Sequence, residues 1–219
     1  MGSRGQKVDK ITPGAGGFGE GGQWGNGLGF QNYDTLKDAI GKKGRPMGMA
    51  NAVLNANPHF DPSMTYKEFT ENCQRCVIAY ELRRRGYDVT AQPTFKGDIL
   101  PTGVTRADGL RYGHWMGAFQ GAKPEKLANS SKALTEKMSE WGNGSRAILQ
   151  VSWKGGHSGH VINLEYRNGR VLLFDPQIGK RYTANELFAV VKPGRTQIVR
   201  VDNLRPSERA KKSVTKDKW

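Results

Sequence analysis

The chain has 219 residues, 34 of them lysine or arginine against 20 acidic ones, and only 36% hydrophobic residues alongside 29 glycines. A net charge of +14 and a pI near 9.9 point to an acidic partner such as nucleic acid, anionic lipid or an acidic protein. No run reaches the roughly 18 apolar residues of a membrane span, and no secretory signal opens the chain.

Residues 1–32 are glycine-dominated and read as a flexible arm outside the folded domain. Phe18, Trp24 and Phe30 in it are candidates for docking, but its glycines match no phosphate-binding pattern. The domain is expected over 33–204, followed by a basic tail, 205–219, that is mostly disordered by composition. Short helices are expected over 33–40 and 47–55, separated by the basic turn Gly41-Lys42-Lys43-Gly44-Arg45-Pro46. Asn57-Pro58 ends the second helix, and 65–69 reads as a short helical lead-in.

The best-marked element is a helix over 71–82. Cys73, Cys76, Val77 and Tyr80 share one face of a 3.6-residue period. Thr70 or Asn72 can cap its start, and Glu71 sits where the dipole favours an anion. Arg83, Arg84 and Arg85 occupy the last turn and Gly86 supplies the stop. Two cysteines three apart at a helix start are badly placed for a disulfide, so working thiols in a reducing cytoplasm are expected. A thiol in the first turn meets free backbone N–H groups and the positive dipole end, which suits a nucleophile.

Further on, 87–91 alternates like a strand, 93–113 is a turn-rich connection, and 123–141 reads as a helix opened by Pro124-Glu125. The period then changes to two. Strands are expected over 146–153, 159–166, 171–175 and 196–201, with turns at 154–158 and at Asn168-Gly169, a strong hairpin signal. A short helix fits 184–190. A helical half followed by an antiparallel sheet is an α+β layout.

With Asn168-Gly169 as a two-residue turn, Arg167 faces Arg170, Ile162 faces Asp175 and His160 faces Gln177. His160 and Asp175 are then diagonal neighbours on one face. A carboxylate beside an imidazole holds its tautomer, and a helix-N-terminal thiol on the other ring nitrogen completes a Cys–His–Asp relay of Cys73, His160 and Asp175. Cys73 has the first-turn position. Cys76 is the alternative on a C-x-x-C-aromatic reading, and otherwise a small buried residue. Asn72 and Gln177 are candidate oxyanion or supporting groups beside the Cys73 backbone N–H.

Three rivals use the same residues or charges. Cys73, Cys76, His157 and His160 spell a Cys₂His₂ zinc set, but a C-x-x-C inside a helix is not a zinc knuckle. A thioredoxin-like redox pair lacks its preceding strand. A non-enzymatic nucleic-acid-binding module would use the basic runs, though no RNA- or DNA-binding motif accompanies them. The relay needs no cofactor or metal.

Three blocks carry a family resemblance. Asn72-Cys73-Gln74-Arg75-Cys76-Val77-Ile78-Ala79-Tyr80, continued by Arg83-Arg84-Arg85-Gly86-Tyr87-Asp88-Val89-Thr90-Ala91, resembles the opening of the papain-fold toxin family of glutamine deamidases. Gly159-His160-Val161-Ile162-Asn163 and Phe174-Asp175-Pro176-Gln177-Ile178-Gly179 resemble its other two blocks, so the likeness spans 70–182. It implies a papain-like fold, a protein substrate, Cys73 as nucleophile, His160 as base and Asp175 as its orienter. It also implies a bacterial toxin, an effector or a phage-delivered protein. A cysteine protease or deubiquitinase-like hydrolase shares the mechanism and stays open.

Overall fold

The computed structural model describes residues 31–63, 68–94, 114–155 and 159–217. Helix α1 (Leu36–Ile40) is opened by a capping box, in which the Thr35 hydroxyl accepts from the Asp38 N–H and the Asp38 carboxylate accepts from the Thr35 N–H. α2 (Met49–Leu54) follows, and then α3 (Cys73–Arg84). Gly86 ends α3 with φ of 100°. The basic turn approaches it closely, since the Gly44 N–H donates to the Gly86 carbonyl at 2.8 Å. A Cβ at Gly86 would fall 2.3 Å from the Gly44 oxygen, so only glycine fits this stop.

The short strand β1 (Thr90–Ala91) and helix α4 (His114–Gly117) precede the main sheet. That sheet contains β2 (Glu125–Lys126), β3 (Arg146–Ser152), β4 (Gly159–Arg167), β5 (Arg170–Asp175), β6 (Lys180–Tyr182) and β7 (Gln197–Arg200). Its order is β2-β7-β3-β4-β5-β6, antiparallel throughout. Helices α5 (Ser131–Trp141) and α6 (Ala184–Val190) complete the set, with a 3₁₀ turn over Glu208–Lys212 and a last strand, β8 (Val214–Thr215).

Period-two alternation sorts the sheet's side chains into two cores. Ile148, Val161, Phe174 and Val199 pack with Val77, Ile78 and Tyr80 of α3. Leu149, Val151, Ile162, Leu164 and Leu173 pack on the other side with Leu134, Met138 and Leu187 of α5 and α6. The layout is the expected α+β one.

Several sequence expectations are corrected. α5 begins at Ser131, not 123, because the Ser130 hydroxyl caps it at Ala133 N and because Glu125–Lys126 pairs with β7 instead. The strand expected over 87–91 is only Thr90–Ala91. The basic segment after 205 is ordered: Val214 and Thr215 pair with β1, and Ala210, Ser213, Val214 and Thr215 are buried. Composition misled there because a strand partner some 120 residues away supplies the order. α3 is buried nearly all round, not on one face, since its Arg75, Glu81 and Arg83 find partners at depth. The glycine-rich arm up to residue 30, most of the 65–69 lead-in, and 95–113 lie outside the described residues.

Candidate active site

α3 runs alongside β4 in the same direction. Asn163 Nδ2 donates to the Val77 carbonyl at 3.2 Å, and further along the Tyr80 hydroxyl donates to Glu165 at 2.7 Å. The start of the helix therefore lies at the start of the strand, which brings Cys73 to His160. Asp175 is the last residue of β5, at the same end of the sheet. The hairpin register is the expected one: Arg167 faces Arg170 and Asn163 faces Phe174, with regular pairing ending one step short of Ile162 and Asp175.

His160 Nε2 and Asp175 Oδ2 are 2.7 Å apart, both side chains buried. The other Asp175 oxygen accepts from the Gln177 backbone N–H at 3.1 Å. The carboxylate thereby fixes the ring, with Nε2–H toward the acid and Nδ1 left for the sulfur. Nδ1 has no hydrogen-bond partner among the described residues, and Cys73 lies close enough to the ring to act on its protonation. Burial alone would push the imidazole down. The charge and hydrogen bond of Asp175, followed by those of Cys73, outweigh it and push His160 up to about 10. Trp153, at the end of β3, stacks on the ring with centroids 5.5 Å apart and planes 23° apart.

Asn72 stands at the N-cap of α3, yet its side chain makes no capping bond. It turns inward instead. Its Nδ2 donates to Asn57 Oδ1 at 3.0 Å and to the Gln92 carbonyl at 3.2 Å, which occupies both hydrogens. Its Oδ1 accepts from Gln177 Nε2 at 3.3 Å and from the Cys76 thiol at 3.2 Å. Cys76 is thus a donor in this cluster. Burial first, then the charges of Cys73 and Asp175, push its thiol well above the usual range.

All five residues singled out from the sequence meet at this end of the sheet. Asn57 and Trp153 are members that sequence reasoning missed, and no spacing rule would have found them. Among the described residues no three His, Cys, Asp or Glu side chains converge on a metal position, and His157 lies outside those residues.

A helix-borne thiol, a strand-borne imidazole and a carboxylate behind it come together on an α+β frame. The family model described as papain fold toxin 1, glutamine deamidase, matches residues 71–180, half of the chain, and the chain belongs to this family. It is accordingly an amide hydrolase of the protein-glutamine deamidase kind. No curated protein and no solved structure matches it.

Proposed function

We propose that the chain is a toxin or effector that deamidates glutamine side chains of a target protein, with Cys73 as nucleophile, His160 as acid and base, and Asp175 as the group that orients His160. The observation that carries this is the 2.7 Å His160–Asp175 hydrogen bond, with Cys73 close enough to the ring to raise its protonation, in a chain of this family.

The Cys73 sulfur, its proton already passed to His160 Nδ1, attacks the carboxamide carbon of the glutamine. The carbonyl oxygen becomes an oxyanion. The Cys73 backbone N–H, at the first position of α3 and without an intrahelical acceptor, is one donor to it. Gln177 Nε2 is the other, because one of its two hydrogens remains after its bond to Asn72. Asn72 supports and does not donate, since both of its amide hydrogens are taken. Collapse of the tetrahedral species expels ammonia, which carries away the proton from His160 and leaves a thioester. Water, deprotonated by His160, then attacks the thioester carbon. Glutamate departs and the Cys73 thiol is restored.

The assignment of Cys73 over Cys76 rests on the strongly protonated, hydrogen-bonded state of the Cys76 thiol. Candidate target proteins incubated with the full chain and analysed by mass spectrometry should show Gln-to-Glu conversion without chain cleavage. Cys73→Ala and His160→Ala should lose roughly 10⁴-fold or more of the rate, and Asp175→Ala roughly 10⁴-fold. Cys76→Ala should retain most of it. Conversion that persists in Cys73→Ala would overturn the assignment, and backbone cleavage in place of conversion would make the enzyme a protease.

A further inference from the structure

Asn57, in the segment after α2, is buried and bonds two of the chain segments that converge on the site, the one leading into α3 and the one after β5. Its Nδ2 donates to the carbonyls of Phe69, ahead of α3, at 2.8 Å and of Gln177, after β5, at 2.9 Å. Its Oδ1 accepts from Asn72 Nδ2 at 3.0 Å.

These bonds fix the orientation of every amide in the cluster. Backbone carbonyls only accept, so the Asn57 nitrogen must face Phe69 and Gln177, and its oxygen must face Asn72. The Asn72 nitrogen is then turned toward Asn57 and the Gln92 carbonyl, and its oxygen toward Gln177 and Cys76. Gln177 Nε2 must therefore donate to Asn72, which leaves Gln177 Oε1 as a buried acceptor with no partner among the described residues. Asn57 and the Gln92 carbonyl together set the direction of the whole chain of amides. It spans from the residue before the nucleophile to the residue two beyond the carboxylate.

We propose that Asn57 is a positioning residue: it ties the N-cap of α3 to the turn after β5 and so holds the Cys73 sulfur against His160 while Asp175 holds the far side of the ring. This rests on the Cys73–His160–Asp175 reading above. An apolar side chain of the same size would leave two carbonyls and one hydrogen of the Asn72 amide unpaired, and the two halves of the site would lose their common anchor.

The test follows the His160 ring by NMR titration of the full-length chain, with the signal assigned by its loss in His160→Ala. Cys73→Ala should lower the His160 midpoint from about 10, because Cys73 is one of the groups that raise it. Asn57→Ala should lower it by a similar amount, and the double variant should go no lower than Cys73→Ala alone. Turnover on a converted target should fall roughly a hundredfold in kcat with KM little changed, as for a small misplacement of reacting atoms. Asn57→Ser, which keeps one donor, should recover part of both losses, and it carries the comparison if Asn57→Ala does not fold.

A His160 midpoint unmoved by Cys73→Ala would remove the triad reading itself. A midpoint lowered by Cys73→Ala but left at the wild-type value in both Asn57 variants, with only the urea midpoint reduced, would leave Asn57 a structural residue and overturn the proposal.

Discussion

His160 carries a linkage between catalysis and stability. Its folded value, about 10, lies above the ordinary 6.5. A group raised on folding contributes stability that is fully present below its unfolded value and is lost as pH rises through the folded one. The groups facing the ring are Asp175 and Cys73, with Cys76 and Tyr182 acting on those two in turn. The urea midpoint should therefore fall between pH 6.5 and about 10. In Asp175→Asn, which removes the largest raising influence, that fall should flatten and move to lower pH. Urea titrations of the two proteins across this window check it, and their difference cancels the titrating groups that do not sense Asp175. An identical slope in both would separate His160 from Asp175 energetically.

At the scale of elements, an ion pair keeps α3 and β4 in register. Glu165 is fully buried and takes the Tyr80 hydroxyl at 2.7 Å and a forked pair from Arg84 at 2.5 and 3.1 Å. Burial pushes its carboxyl up, but the bonds from Arg84 and Tyr80 outweigh this and hold it below the usual range. Glu165→Ala leaves a largely buried guanidinium uncompensated and should cost about 3–5 kcal/mol. Tyr80→Phe, which leaves the ion pair in place, should cost only about 1 kcal/mol. Urea unfolding of both variants measures the contrast, and equal losses would mean that the pair contributes no more than the hydroxyl.

These elements also show what could be read from residue order. The period-two run around Asn168-Gly169 sufficed to place His160 diagonal to Asp175, because turn type fixes register in a two-residue hairpin. The helix that bears Cys73 was equally visible, from its start to its stop at Gly86. What escaped was everything set by distant partners. Arg146 bonds Glu81 across 65 residues and Asn57 bonds Gln177 across 120, and no local periodicity encodes either. The inward turn of Asn72 escaped for the same reason, since local preference predicts a cap and tertiary partners override it.

At the scale of the molecule, the basic C-terminal segment closes the structure around the site. Lys216 N donates to the Ala39 carbonyl at 2.8 Å, and Glu208 accepts from the Leu36 N–H at 2.8 Å, so the segment holds α1. Arg85 reaches the Leu204 carbonyl, Arg75 reaches that of Lys212, and the Gln92 N–H donates to the Ser213 carbonyl at 2.9 Å. Gln92 also accepts from Asn72 through its own carbonyl and pairs with the Gln31 backbone through its side chain. One buried glutamine thus links the C-terminal segment, the beginning of the described chain and the N-cap of α3. Removing 205–219 deletes β8 with its partner bonds and strips cover from Ala91 and α1. The loss should be at least about 3 kcal/mol from the buried apolar side chains and unpaired backbone groups together. Turnover should fall with it, because Gln92 then loses a restraint on the carbonyl that Asn72 holds. Urea unfolding and limited proteolysis of the truncated chain decide the point: a wild-type midpoint and an unchanged cleavage pattern would make the segment the dispensable tail that its composition suggests.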